Sequence, residues 1–158
     1  MSAAIEKPQK VLSVVADGMD ELMQQQNSLA IAMDFSMCSA LQILDHYSNF
    51  AGAIIAPSDD AKNALLDIPY QILNASGTKS QVSVSWMARQ IQKKLRTDYG
   101  IGIVKNQDEN IFWIALANTH GDVETIPVPF KAENPNTANA IIKAFQLLKA
   151  NLNSNRKH

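Results

Sequence analysis

Residues 54–69, IIAPSDDAKNALLDIP, pass from a strand into a helix and out again, and their reading decides the fold. The apolar run over 50–56 has strand length and stops at Pro57, which cannot donate to a sheet ladder. Ser58 is placed to cap a helix over 59–66, because its hydroxyl can accept an early backbone N–H. Asp59 and Asp60 then fall in the first turn, where the helix dipole favours negative charge. A strand running directly into a helix is half of a crossover unit, and such units bring the next strand back parallel to the first.

The same logic extends outward. Val11, Val15, Met19, Leu22 and Met23 recur at helical steps over 11–26, interrupted by Gly18. Residues 28–35 (SLAIAMDF) read as a strand, and 36–46 as a helix with Met37, Ala40, Leu41 and Leu44 on one face. Residues 68–73 stay open between a turn and an extended segment, and 74–79 (NASGTK) read as a loop. A long helix over 80–97 buries Val84, Met87, Ile91 and Leu95. The strand 99–104 (YGIGIV) carries glycines that imply close backbone approach. Strands at 111–117 and 123–128 flank the hairpin signal NTHGD. Asn134, Pro135 and Thr137 open a last helix that buries Ala138, Ile141, Ile142, Phe145 and Leu148 and ends near Leu152. The expected fold is α/β: a three-layer α/β/α sandwich with a mixed, mostly parallel sheet. It forms a single domain over 1–158 with an ordered core at about 8–152.

At 158 residues the chain can bury roughly 70% of its unfolded surface, so one core suffices. Fourteen basic against fifteen acidic residues give a net charge of −1, which offers no electrostatic case for nucleic acid. The densest basic group, Arg89, Lys93, Lys94 and Arg96, reads as a solvated helix face. Cys38 is the only cysteine, which excludes an intrachain disulfide and suits a reducing compartment; without a nearby histidine it reads as a structural thiol. The first residues lack an apolar signal core, and no run reaches the ~20 apolar residues of a membrane helix. A cytoplasmic protein with no membrane partner is expected. His46, His120 and His158 fit no metal spacing, so neither metal nor cofactor is expected.

Three segments carry a resemblance. Residues 54–69 resemble the pattern apolar strand, Tyr-Ser-Asn-x-x-Lys, apolar helix and Val-Pro-like turn, with Ser58 and Lys62 in place but Pro57 and Asp59 at the tyrosine and asparagine positions. Residues 97–104 (TDYGIGIV) resemble Ala-Asp-Tyr-Gly-apolar-Ala-Ile-Thr, sharing Asp98, Tyr99 and Gly100. Residues 76–80 (SGTKS) resemble His-Gly-Ala-Val-Ser, sharing Gly77 and Ser80. These are patterns of the CinA C-terminal-domain family, the nicotinamide mononucleotide (NMN) amidohydrolases, and by element order the resemblance covers about residues 11–152.

The resemblance implies a serine nucleophile after the first strand, within Ala-Glu-Ser-Cys-Thr-Gly-Gly. Residues 32–38 read AMDFSMC, which puts Asp34 at the serine position, Ser36 at the threonine, and Met37 and Cys38 at the glycines. The family's Thr-Gly-Ile-Ala-Gly-Pro loop is replaced by VKNQDEN over 104–110, and no arginine lies between Arg96 and Arg156. Hydrolysis of an amide by serine needs an activated hydroxyl and donors for the oxyanion. A carboxylate at Asp34 is a weak nucleophile for that task, although Asp34 also reads as a cap for the following helix. The expectation is a catalytically silent relative acting as a binding or oligomerising module. If the chain is active, the resemblance points to Lys62 as base and Ser58 or Ser36 as nucleophile, on NMN or a related pyridine nucleotide. Asp34 with Lys62 is a further arrangement for a changed substrate. Asp34, Ser58, Lys62, Ser80 and Lys105 are the candidate ligand-binding residues for a small-molecule nucleotide. A homodimer is expected, with Trp86, just off the buried stripe of its helix, as its contact.

Overall fold

The computed structural model describes residues 8–36 and 39–156. Helix α1 (Pro8–Gln24) leads into β1 (Leu29–Met33), a 3₁₀ helix (Ser39–His46) and β2 (Phe50–Ile55). Helices α2 (Asp59–Leu66), α3 (Tyr70–Ser76) and α4 (Gln81–Leu95) follow in succession. The meander β3 (Tyr99–Asn106), β4 (Ile111–Ala117) and β5 (Val123–Pro129) precedes α5 (Thr137–Arg156). The five strands form one sheet in the order β2-β1-β3-β4-β5. Pairings of β1 with β2 and β3 are parallel, while β3–β4 and β4–β5 are antiparallel. The sheet is therefore mixed and mostly parallel in strand direction, as expected: β1, β2, β3 and β5 point one way and β4 alone runs against them. The meander after α4 supplies two antiparallel ladders, because its short turns leave no room for a crossover.

Helix α4 lies against β1, β3 and β4, with α2 and α3 beside it. Small side chains recur in this core, with Ala30, Ala32, Ala88 and Ala115 buried beside Leu66, Met87 and Ile91. Gly100 and Gly102 explain the closeness. A Cβ on Gly100 would stand 2.3 Å from the Ala88 carbonyl oxygen, and one on Gly102 would stand 2.7 Å from that of Val84. The helix backbone thus rests on the β3 backbone, as the YGIGIV reading required. The opposite face is thicker, with Val15, Met19 and Leu22 of α1 and Phe145 and Leu148 of α5 packed on Ile31, Ile101 and Phe112.

Several expectations change. Within the helix expected at 36–46, the structure has a 3₁₀ helix over Ser39–His46. Met37, Cys38, His158 and the side chain of Ala40 lie outside the described residues. Residues 68–79, read as turn and loop, contain α3, whose only buried side chain is Leu73. One buried position in seven leaves no periodicity to find, and packing on α4 decides the conformation. Met23 is 42% exposed, because one step past Leu22 turns it off the buried stripe of α1. Helix α5 continues past Leu152 to Arg156, where Asn155 donates to the Tyr99 hydroxyl (2.8 Å).

Candidate functional site

The chain leaves β1 to build β2 on one side, then returns to build β3 on the other. A crevice opens where the strand order reverses, beyond the carboxyl ends of β1 and β3, which is where open α/β sheets hold ligands. Asp34 is the first residue past β1, and its backbone N–H is fastened to the Ile103 carbonyl of β3 (3.2 Å). Its carboxylate has no exposed side-chain surface and is held on both oxygens. Oδ1 accepts the Lys105 backbone N–H at 3.0 Å. Oδ2 accepts from Lys79 Nζ at 2.5 Å and lies 3.6 Å from Lys62 Nζ.

Lys62 enters from α2. Ser58 sets that helix in place, its hydroxyl accepting the Ala61 N–H at 3.1 Å. The Lys62 side chain is fully buried, and its ammonium donates to Thr78 Oγ1 at 2.9 Å. Burial lowers its pKa most; Asp34 opposes this, Lys79 adds to it, and Asp59 opposes it more weakly. Lys79 is 35% exposed and forms the outer wall of the cluster. Its backbone carbonyl accepts from Asn106 Nδ2 (2.9 Å), which pins the 77–80 loop to the end of β3. Asp59 Oδ1 and Ser83 Oγ are buried near the two helix starts with no hydrogen-bond partner among the described residues.

Two hollows flank this cluster. One, of about 340 Å³, is lined by Asp34, Phe35, Lys79, Lys105, Gln107 and Asp108. The other, of about 390 Å³, is lined by the loop before α4 with Gln81, Glu109 and Trp113. Lys79, Asn106 and Asp108 belong to both and stand between them. Each volume lies within the range of small-ligand sites.

The structure joins three of the expected residues, Asp34, Lys62 and Lys105, the last through its backbone N–H. Among the described residues the Asp34 carboxylate accepts from Lys79 and from the Lys105 N–H across the crevice, and from no helix N–H. Ser80 caps α4 through the Ser83 N–H (3.1 Å) and lines the larger hollow. Ser58 is exposed and its hydroxyl occupied as a cap, and Ser36 is exposed; among the described residues neither hydroxyl is hydrogen-bonded to the Lys62 ammonium. Thr78, Lys79, Asn106 and Trp113 are the residues that sequence reasoning missed. The signal for two of them was available: Thr78 and Lys79 are departures from the pattern that residues 76–80 otherwise resemble. Among the described residues, no three of His, Cys, Asp and Glu gather as a metal site. No described helix is long and apolar enough to cross a membrane.

The fold and the crevice define an α/β/α domain with a polar site at the carboxyl ends of adjacent parallel strands. The family model for the CinA C-terminal domain matches residues 19–152, and the chain belongs to that family. A CinA-like protein of Microcystis aeruginosa is 32% identical over 52% of this chain and 22% of its own length. A competence-damage inducible protein of Listeria welshimeri is 24% identical over 69% of this chain and 28% of its own. The chain thus spans about a quarter of the length of these relatives. The crystal structure of a CinA superfamily protein from Klebsiella pneumoniae superposes with a TM-score of 0.79 at 21% identity, covering 94% of this chain and 99% of that one. The competence/damage inducible protein CihA of Agrobacterium tumefaciens gives 0.77 at 13% identity, over 94% and 98%. At these identities the two structures share its fold.

Proposed function

We propose that this domain does not hydrolyse amides and acts as a binding module, with the crevice beside Asp34 as its ligand site. The observation that carries the reading is the buried chain of contacts Lys79–Asp34–Lys62–Thr78. Three residues in it depart from the pattern the sequence resembles: Asp34 for serine, Thr78 for alanine and Lys79 for valine. Each departure makes a bond to another member or to Lys62. A buried carboxylate at the nucleophile position demands a cation, and Lys79 supplies one. Lys62, retained from the pattern, is turned from a base toward a structural donor to Thr78.

The second reading, an amidohydrolase on NMN or a related pyridine nucleotide, has one observation in its favour. Burial lowers the pKa of Lys62, as a general base requires. Against it, no serine hydroxyl shares a hydrogen bond with Lys62 among the described residues, while Asp34 and Thr78 occupy it. A homodimer belongs to the proposal as well. Trp86 is half-buried on the outer side of α4, beside a shallow hollow of about 260 Å³ lined with Arg89, Gln90 and Lys93.

The test is a serine-directed organophosphorus reagent followed by intact-mass measurement. An unactivated serine does not react, so the expected result is unmodified protein. An adduct on Ser36 or Ser58 that disappears in Lys62→Ala would establish an activated nucleophile and overturn the reading.

A further inference from the structure

Lys79 stands between two hollows and is held there by one ion pair. Its backbone is fixed, because Asn106 Nδ2 holds its carbonyl and Ser80, the next residue, caps α4. Its side chain is not fixed in the same way: it is 35% exposed, whereas that of Lys62 has no exposed surface. The carboxylate it would leave behind is not abandoned. Asp34 keeps Lys62 at 3.6 Å and the Lys105 N–H at 3.0 Å, so neither oxygen becomes an uncompensated buried charge. This arrangement allows one of the two cations to depart while the other stays beside Asp34.

Lys105 supplies the second half of the argument. Lys105 lines the 340 Å³ hollow with Lys79, and no ion pair holds its ammonium among the described residues. A small anion entering that hollow has two lysines on its wall, of which Lys79 is held in an ion pair and Lys105 is in none among the described residues. Asp108, also on the wall, opposes an anion, and the exchange of Lys79 from Asp34 to the ligand offsets that repulsion.

We propose that Lys79 is a displaceable wall: a phosphate or carboxylate group bound beside Lys105 draws the Lys79 ammonium off Asp34 and joins the two hollows into one cleft reaching Trp113. The inference rests on the crevice being a ligand site and adds the charge class of the ligand and the moving part. Phosphate and carboxylate share the chemistry that recruits two ammonium groups; separate titrations distinguish them.

The experiment titrates inorganic phosphate, and separately acetate, into the full chain carrying Trp86→Phe, so that Trp113 is the sole tryptophan reporter. The expected result is saturable binding of at least one anion, accompanied by a change in Trp113 fluorescence. Lys79→Met abolishes the Trp113 response, and Lys105→Met weakens binding about tenfold. Three results overturn the proposal: no saturable binding of either anion below about 10 mM, binding that leaves Trp113 unchanged, or a Trp113 response that survives Lys79→Met. Should Lys79→Met prove unfolded, Lys79→Gln makes the same comparison. Failure here leaves the serine-labelling result untouched, and an activated serine would not restore a fixed wall.

Discussion

Replacing Asp34 by Asn should cost far more stability than replacing Lys79 by Met, although both remove one member of the same ion pair. The amide can still accept the Lys105 N–H, but it carries no charge for Lys62, which is fully buried and cannot turn to water. Leaving a buried ion without its partner costs about 3–5 kcal/mol. Removing Lys79 leaves Asp34 with Lys62 and the Lys105 N–H, and the lost cation was one-third exposed, so about 1 kcal/mol is expected. With a urea slope of about 2 kcal/mol per molar, the midpoint falls by about 2 M for Asp34→Asn and about 0.5 M for Lys79→Met. The pH dependence adds a second signature. The pKa of Lys62 lies below its ordinary 10.5, so at neutral pH the unfolded chain is spared the cost of burying that ammonium. Stability therefore rises as pH climbs through the folded value, and the effect is complete above the unfolded one. Without Asp34 to oppose burial, the pKa falls further, so the gap between Asp34→Asn and wild type should narrow as pH rises from neutral toward the ordinary 10.5. Equal midpoint losses for the two variants, or a gap that widens with pH, would refute the reasoning.

Gly100→Ala should destabilise the domain by about 3 kcal/mol or more in urea unfolding, since its Cβ would meet the Ala88 carbonyl at 2.3 Å and backbone cannot yield as a side chain does. A loss below about 1 kcal/mol would mean that α4 lifts freely from β3. Tyr99→Phe should cost about 1 kcal/mol, because its hydroxyl accepts from Asn155 and donates to Asn151 on α5, and both partners can turn to water. Light scattering at micromolar concentration should give twice the 17.3 kDa mass, and Trp86→Ala should weaken that dimer. A monomer mass removes the dimer, while an unchanged dissociation constant removes only the contact.

The parts of the fold that show in sequence are those where one residue type does one job. Ser58 before two aspartates marked the start of α2, and YGIGIV announced a close backbone approach, which the structure assigns to α4. Strand β4 ran from Ile111 to Ala117, up to the hairpin signal NTHGD that marked its end. Helix α3 was hidden because only Leu73 is buried in it, so its conformation is imposed by α4 and not by its own pattern. The site was legible residue by residue but not as a network. Asp34 and Lys62 were singled out separately, yet 28 positions part them in the chain, and Lys79 arrives from a third segment. Only the topology that puts β1 beside β3 brings Asp34 to the Lys105 N–H. Without that juxtaposition, a lone aspartate after a strand reads more cheaply as a helix cap.

The most direct measurement is ammonia release from NMN by the purified chain, followed over time with Lys62→Ala in parallel. With Asp34 at the nucleophile position and Lys62 bound to Thr78, the account predicts that both proteins stay at background. Turnover within the usual range of about 1–10³ s⁻¹, abolished by Lys62→Ala, would contradict it.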